Sequence, residues 1–274
     1  DIIKVDFRIT EDPKERQKMR EILPKHVRLL AEKIETEEEF QQAVEFGYVL
    51  FQGYFFCKPT VLHQKKLTSN DLSRMRLLKE VNRRDVNFSS VTDVISSDTN
   101  LVHKLLTYIN SAGIGLINHV SNLKQATILL GASGVRRWVT LISLQTFSED
   151  KPSELFTLSL LRAKFCELIA HDLKRPSLTP DTGFLVGIFS LLDVLLNLPM
   201  EEVLKEVTLA DDLNSALLGE DNDLRRVLDL VIAYEQGNWD KVIVCCEQLH
   251  LSPEQMNPTY DAVLEWYNLV RSVD

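Results

Sequence analysis

The side chains that could bind a metal are few and lie far apart in this sequence. A typical zinc site places two histidines four residues apart on one helix face, and the six histidines contain no such pair. One histidine directly precedes an aspartate, His171-Asp172, near the end of a predicted helix. A histidine there interacts favourably with the helix dipole, and we expect Asp172 to be solvated. We therefore predict no metal ligands in the chain.

The cysteines show no spacing that suits redox or nucleophilic chemistry. They lie at Cys57, Cys166, Cys245 and Cys246, without a CxxC pair or a disulfide-like spacing. The adjacent pair is typical of helix packing. We find no serine or cysteine nucleophile motif and no glycine loop that could hold a phosphate. We predict neither catalytic residues nor a cofactor, and we expect a reducing, cytoplasmic location.

Composition predicts a globular protein and argues against two classes of partner. Of the 274 residues, 45% are hydrophobic and 26% are charged, which allows a full core and a polar surface. The net charge of −9 argues against non-specific binding to nucleic acid or to an anionic membrane. We find no apolar run of about 18 residues that would predict a transmembrane span. Arg136-Arg137 could recognise an anion, but we favour a solvated helix face.

Strands and helices alternate in the first part of the chain. Residues 2–7, 26–34 and 48–51 are rich in β-branched and aromatic residues, which favour strands. Residues 12–23 form a predicted helix with Pro13 in its first turn, and Thr36 with Glu39 forms a predicted capping box that begins another. This order is typical of parallel βαβ units. Three parallel strands leave open edges, and the chain begins inside a strand-like run. We therefore expect this part to belong to the barrel of a longer protein, or to be covered by the helical part or by a second copy of the chain in a homodimer.

The rest of the chain is predicted to be all-α, with one of its helices at residues 181–197. Apolar residues recur at helical spacing after a polar linker, which suggests a boundary between residues 1–66 and 67–274. Between Asp98 and Trp138 the pattern predicts three short helices, of which the second ends at Gly131 and the third is capped by Ser133. The last helices carry aromatic residues interpreted as core, with a partner groove as the alternative: Tyr234, Trp239, Trp266 and Tyr267.

Two stretches of this helical part resemble the HDOD domain. They are Tyr108-Ile109-Asn110-Ser111-Ala112 and Ala126-Thr127-Ile128-Leu129-Leu130-Gly131. The HDOD domain is an all-α relative of the HD metal phosphohydrolases, and its members generally lack the metal ligands. The resemblance covers residues 67–274 and implies a structural motif that contains Asn110, Ser111, Gly131 and Asp193.

The first part of the chain resembles the end of the EAL domain, a TIM-barrel phosphodiesterase that hydrolyses cyclic di-GMP with two divalent metals. Three motifs occur in the same order: Lys4-Val5-Asp6, Ala31-Glu32-Lys33-Ile34-Glu35-Thr36 and Phe51-Gln52-Gly53-Tyr54-Phe55-Phe56-Cys57-Lys58-Pro59. The resemblance implies that Lys4 matches a water-positioning lysine, Glu32 an active-site glutamate and Gln52 a substrate-contacting residue. Asp6 and Glu35 are further positions of these motifs.

Both resemblances imply sites that lack required ligands. The Glu-Ala-Leu signature and the other metal ligands of the EAL domain are absent, and Lys33 replaces the family's glycine after Glu32. HD enzymes place His-Asp on a helix that matches residues 187–193, where this chain has Ser190 and Leu191. A hydroxyl and an isobutyl group cannot replace an imidazole and a carboxylate as metal ligands. A buried Asp193 must be paired or hydrogen-bonded, and we interpret it as a capping or tethering residue.

The sequence therefore predicts a non-enzymatic regulatory module from a bacterial EAL–HDOD signalling protein. We expect a mostly α fold, in which a small α/β remnant of a TIM-type barrel precedes the helical domain. The expected partner is an unidentified protein, with a homodimer as the alternative. Two enzyme hypotheses stay open: cyclic di-GMP hydrolysis or binding by the full-length chain, and HD-type phosphohydrolysis with other ligands.

Overall fold

The computed structural model describes residues 2–24, 26–53, 69–82, 88–110, 119–148 and 153–271. The chain divides into two compact units, Asp1–Thr60 and Val61–Asp274. Within the described residues, no helix by itself is long and apolar enough to cross a membrane. One bent pair, Pro180–Leu196 with Met200–Glu206, meets that criterion by length and composition.

The first unit is a parallel sheet whose strands are connected by helices. Its described elements are β1 (Ile2–Asp6), α1 (Pro13–Ile22), β2 (Arg28–Glu32), α2 (Glu37–Glu45) and β3 (Leu50–Gln52). The strands pair in the order β1-β2-β3, so β1 and β3 are the edges. The predicted parallel βαβ order is confirmed, although β3 begins two residues later than predicted. The described residues form three strands, whereas a closed TIM barrel has eight.

A buried arginine holds the loop between β1 and α1 in place. Arg16 is 5% exposed and donates to the carbonyl oxygens of Phe7 and Thr10, both at 2.6 Å. Its guanidinium also donates to Gln42 Oε1 at 3.0 Å and lies 4.1 Å above the ring centre of Phe7. These contacts satisfy the buried charge and fix the backbone that follows the carboxyl end of β1.

The second unit consists of packed helices, as predicted. The helices described are α3 (Ser69–Val81), α4 (Phe88–Ser96), α5 (Thr99–Ile109), α6 (Leu123–Phe147), α7 (Ser153–Leu173), α8 (Pro180–Phe189), α9 (Leu192–Leu196), α10 (Met200–Glu206), α11 (Asp211–Leu218), α12 (Asp223–Glu235), α13 (Trp239–Leu249) and α14 (Met256–Arg271). A 3-10 turn, Pro253–Gln255, precedes α14.

Small residues bring α7 and α8 into close contact. A Cβ atom added to Gly187 would lie 2.5 Å from Ala163 Cα, and one added to Gly183 would lie 2.7 Å from Cys166 O. Real side chains cannot approach that closely, so both positions require glycine for this packing. The close approach places the C-terminal end of α8 beside the middle of α7, where the candidate site lies.

The predicted end of a helix at Gly131 is confirmed, because residues 123–147 are two helices that meet at a kink with non-helical backbone at Gly131 (φ 64°, ψ −173°), together named α6. Two other details differ from the prediction. The hydroxyl of Ser133 donates to Asp181 Oδ2 instead of capping the third helix. Residues 181–197, predicted as one helix, are split into α8 and α9 because the chain turns at Ser190 and Leu191.

The aromatic residues of the last helices are not all core. Trp239 is 57% exposed, and Trp266 and Tyr267 are half-buried. The prediction of a core position is wrong for Trp239, which is the first residue of α13 and stays exposed although it lies at i, i+3 and i+7 with the buried Val242 and Cys246. Helical spacing identifies the apolar residues of a helix, but it does not show which of them another element buries.

Candidate functional site

The carboxyl edge of the small sheet brings together residues that are distant in sequence. β1, β2 and β3 end at Asp6, Glu32 and Gln52, which are aligned as partners in the parallel register. Lys4 Nζ lies 4.0 Å from Glu32 Oε1. Carboxyl ends of parallel strands are where barrel enzymes place their functional groups. The three motifs that the sequence resemblance singled out therefore converge at one edge.

Lys33 occupies this edge as a fixed cation. Its backbone has φ 61°, in the left-handed region that favours glycine, so the residue type at this position is conformationally unfavourable. Its ammonium donates to Asp6 Oδ2 at 2.7 Å, while Asp6 Oδ1 accepts from Arg8 N at 2.8 Å. The hydrogen bond from Lys33 lowers the pKa of Asp6, and the same bond raises the pKa of Lys33.

The charge pattern of this edge does not fit a two-metal centre. Glu35 pairs with Arg8, and Asp6 pairs with Lys33, which leaves Glu32 beside Lys4. Divalent metals need several free oxygen ligands, whereas here a basic side chain lies beside each carboxylate. Within the part of the chain that the structure describes, no group of three histidines, cysteines or carboxylates could hold a metal ion.

The position that matches the HD pair lies at the end of α8. Ser190 follows the last residue of that helix, and its hydroxyl donates to Gly187 O at 2.7 Å. Leu191 is 4% exposed and contributes only apolar contacts. The hydroxyl of Ser190 also accepts a hydrogen bond from Arg162 Nη1 at 2.9 Å. Ser190 thus binds the guanidinium of Arg162 on α7.

Arg162 connects three helical segments through this contact. Its side chain is 3% exposed, and its Nη2 donates to Glu235 Oε2 at 2.6 Å. Its Nε donates to both oxygens of the same carboxylate, at 3.1 and 3.2 Å. Charge-assisted bonds of this two-pronged kind are the strong ones, and they satisfy a charge that would be unstable when buried alone. We call Arg162, Glu235 and Ser190 the arginine junction.

The sequence analysis did not identify Arg162 or Glu235. The sequence does contain a sign that Arg162 is buried. This arginine lies in the run Ser159-Leu160-Leu161-Arg162-Ala163, at a position that an amphipathic helix would bury. Buried arginines require a partner, but sequence spacing alone cannot name it. Glu235 comes from α12, more than seventy residues further along the chain.

Asp193 lies close to the arginine junction, in the first turn of α9. Burial raises the pKa of its carboxyl, against the lowering effects of nearby backbone N–H groups and of Arg162. Its Oδ1 atom is buried and has no hydrogen-bond partner among the described residues. The carboxyl is hydrogen-bonded as expected, because the backbone N–H groups of Asp193 and Val194 bond to it, although Oδ1 lacks a partner. Its backbone carbonyl accepts from Leu198 N at 3.1 Å, which closes the turn after α9.

Asn110 closes the segment that follows α5. Its Nδ2 donates to Leu106 O at 2.7 Å and to Val120 O at 2.8 Å, and its Oδ1 accepts from Val120 N at 2.8 Å. One amide side chain thereby joins the end of α5 to Val120. Ser111, which the resemblance places in the same motif, lies outside the described residues.

The two adjacent arginines of α6 are engaged within the protein. Arg137 donates to both oxygens of Glu167 at 2.9 Å and lies 3.8 Å above the ring centre of Phe184. Arg136 Nε donates to Val81 O at 2.9 Å. The interpretation of this pair as a solvated face is wrong, because the pair joins α6 to α7, α8 and α3.

The histidine and cysteine positions carry no site in the described part of the chain. His171 and Asp172 are both exposed, with 3.2 Å between Nδ1 and Oδ1, and His103 is exposed as predicted. Cys166, Cys245 and Cys246 are buried, and burial raises the pKa of each thiol. A thiol with a raised pKa is a poor nucleophile at neutral pH.

A family model and two curated relatives match the chain. The model of the HDOD domain matches residues 70–216, and no EAL domain is seen in the chain. The uncharacterized protein YuxH of Bacillus subtilis strain 168 is 36% identical over 98% of this chain and 66% of its own length. The cyclic di-GMP phosphodiesterase CdgJ of Vibrio cholerae serotype O1 is 34% identical over 87% of this chain and 55% of its own length. The chain thus spans less than two thirds of either relative.

A solved structure shares the fold at low sequence identity. It is the crystal structure of a protein from Marinobacter aquaeolei VT8 that is provisionally described as a signal transduction protein. The match covers 95% of this chain and 83% of that one, with a TM-score of 0.54 and 12% identity. At this identity the likeness concerns the fold alone.

Proposed function

The chain belongs to the HDOD domain family, and from that premise we propose that it is a non-catalytic regulatory module of signal transduction whose output is binding to a protein partner. We also propose that residues 1–66 represent the end of an EAL-type barrel, that 67–274 form the HDOD unit, and that the protein acts in the bacterial cytoplasm. A homodimer is the alternative to a different protein partner.

The arginine junction carries this proposal. Ser190 stands where the HD resemblance expects a histidine ligand, and it is already bonded to Arg162. A guanidinium is always protonated at neutral pH and offers no lone pair, so it repels a metal ion. Leu191 supplies no ligand atom either. The position is therefore suited to holding helices together.

The sheet edge supports the same conclusion independently. Its carboxylates lie beside Lys33, Arg8 and Lys4, which supply positive charge from within the chain. Two-metal hydrolysis needs carboxylates that are free to bind cations on both sides of the reacting phosphate. The residues present here do not fit that requirement.

The relationship to CdgJ favours a second candidate function. That protein is named as a cyclic di-GMP phosphodiesterase, and the resemblance of residues 1–59 to EAL motifs points to the same nucleotide. The second candidate is hydrolysis or binding of cyclic di-GMP by a longer protein that contains this chain. HD-type phosphohydrolysis is a weaker candidate, because it would depend on Asp193 or on the exposed pair His171-Asp172.

A turnover assay of the purified chain tests the proposal. We expect hydrolysis of cyclic di-GMP with Mg²⁺ or Mn²⁺ to equal the buffer blank, and metal analysis to find less than one divalent ion per chain. Glu32→Gln removes the candidate carboxylate, and Glu38→Gln is the matched control on the exposed surface of α2. Turnover that disappears in Glu32→Gln and persists in Glu38→Gln would establish catalysis and overturn the proposal.

A further inference from the structure

The charge of the chain is concentrated at its C-terminal end. Residues 201–274 contain 16 acidic and five basic residues, a net charge of −11. Residues 1–200 contain 24 acidic and 26 basic residues, a net charge of +2. The last helices thus carry the whole negative excess, which creates a local field that the average composition conceals.

An apolar strip lies exposed within this acidic part. Trp239, Ile243 and Val244 are 57%, 46% and 51% exposed, although their types favour burial. Trp239, Ile243 and Glu247 follow one another at four-residue spacing and form one row along α13. Asp240 and Val244 form the neighbouring row, so the five residues cover one side of the helix. We call these five residues the α13 face.

The first turns of α14 continue this surface. The ring of Trp239 meets Tyr234 edge to face at 5.5 Å between centres, and Tyr234 lies 5.2 Å from Tyr260. Tyr234 Oη also donates to Asn257 Oδ1 at 2.7 Å. Leu264, which is 37% exposed, follows Tyr260 by one helical turn. Trp239 thus packs on Tyr234 of α12, which itself contacts the first turns of α14.

The carboxylates around this surface are not neutralised. Asp240, Glu247, Asp261 and Glu265 are exposed, and none of them forms an ion pair with another described residue. Elsewhere in the same acidic part, internal cations pair with Asp221, Asp223 and Asp229. Carboxylates without an ion pair among the described residues therefore lie around the exposed apolar strip, as they also do on α10.

We propose that the α13 face binds a basic amphipathic helix of a partner protein. The exposed tryptophan and isoleucine offer the aromatic and aliphatic anchors that dominate binding energy. The flanking carboxylates select lysine or arginine at the ends of the partner, and opposite charges raise the association rate. An eleven-residue helix presents a face about 16 Å long, which suits another helix with apolar residues at i and i+4. The inference rests on the proposed function and specifies the chemistry of its partner.

A peptide titration of the full chain tests this surface. The probe is a labelled Leu/Lys amphipathic helix of about 14 residues, near the shortest length at which isolated helices form. The controls are a scrambled peptide of the same composition and a Leu/Glu helix. We expect fluorescence anisotropy to show binding of the Leu/Lys helix, weaker binding at higher salt, and at least about tenfold weaker binding of both controls.

Matched variants assign the binding to this face. Asp240→Lys combined with Glu247→Lys should weaken the Leu/Lys helix by about tenfold or more. Glu202→Lys combined with Glu206→Lys makes the same change in net charge on α10 and should change affinity by less than about twofold. Ile243→Ser keeps the charge and should weaken binding by about tenfold, because it removes an apolar anchor.

Three results would overturn the inference: no binding of the Leu/Lys helix, equal binding of the scrambled peptide, or equal loss in the α10 control. The altered side chains are exposed, and circular dichroism checks that each variant keeps its helical content. The turnover assay tests the proposed function separately, since neither variant pair touches Glu32 or the arginine junction. Peptide binding together with true turnover would reject the non-catalytic function and keep the binding surface.

Discussion

Arg162 and Glu235 form a buried two-pronged ion pair between α7 and α12, with their closest atoms 2.6 Å apart. The side chains are 3% and 12% exposed, so water contributes little to the stability of either charge. Ser190 binds the remaining side of the guanidinium and adds the end of α8 to the same junction. The guanidinium of Arg162 thus joins α7, α12 and the end of α8.

Removal of one partner of this pair should strongly destabilise the second unit. Glu235→Gln leaves Arg162 buried without a counter-charge, and we expect a loss of about 3 kcal/mol in the free energy of unfolding. Urea denaturation measures this loss. Asp221→Asn is the matched control, because Asp221 makes a similar two-pronged pair with Arg226 at the surface. We expect a much smaller change there, and equal losses would contradict a buried role.

The pH dependence of stability should change when Asp193 is replaced. Burial raises the pKa of this carboxyl in the folded state above the ordinary value of 3.8. The folded protein therefore loses stability as pH rises through the raised value, and it has no such loss below 3.8. We expect Asp193→Asn to unfold at higher urea than the parent at neutral pH, with a difference that shrinks on acidification. Asp172→Asn controls for loss of an exposed carboxylate, and a constant difference at all pH values would contradict the prediction.

A side chain at the break in α6 should strain the backbone. Gly131 adopts φ 64° and ψ −173°, a region that is essentially restricted to glycine. No atom lies within 4 Å of an added Cβ, so Gly131→Ala should cost about 1–3 kcal/mol of stability through conformation alone. Thermal unfolding measures the effect, and Gln145→Ala at an exposed position of α6 is the control. An unchanged midpoint in Gly131→Ala would show that the break is not required.

The pKa of Asp6 should report the cation at the sheet edge. The hydrogen bond from Lys33 lowers that pKa, so Lys33→Gln should move it up towards 3.8. The lowered pKa stabilises the fold above the ordinary value, and this contribution disappears as pH falls through the lowered value. The variant should therefore lose less stability on acidification. Carbon-detected NMR titration measures the carboxyl directly, with Lys4→Gln as the control; an unmoved Asp6 would reject the pairing.

The helical part should fold by itself. Residues 67–274 contain the stripes that pack α3 to α14 together, so we expect circular dichroism to show a cooperative melt of this fragment. A non-cooperative transition, or none, would count against the proposed boundary. A second fragment that begins at residue 88, and so lacks α3, is the control and should melt at a lower temperature.

Local sequence patterns determined most of the secondary structure. Thr36 and Glu39 predicted a capping box that the structure contains, and Pro13 stands at the start of α1. The helices from α7 to α14 agree with their apolar periodicity, apart from the break at Ser190 and Leu191. Such features depend on residues three or four apart, which the sequence displays directly.

The tertiary structure decided which side chains share an environment. Arg162 needs Glu235, and the sequence could not pair them because the contact joins α7 to α12. Arg136 and Arg137 looked solvated from their own helix, but α3, α7 and α8 provide their partners. Trp239 was expected in the core from its own helix, but it is 57% exposed in the structure. Burial and pairing depend on contacts between distant segments, and these are set by packing of the whole chain.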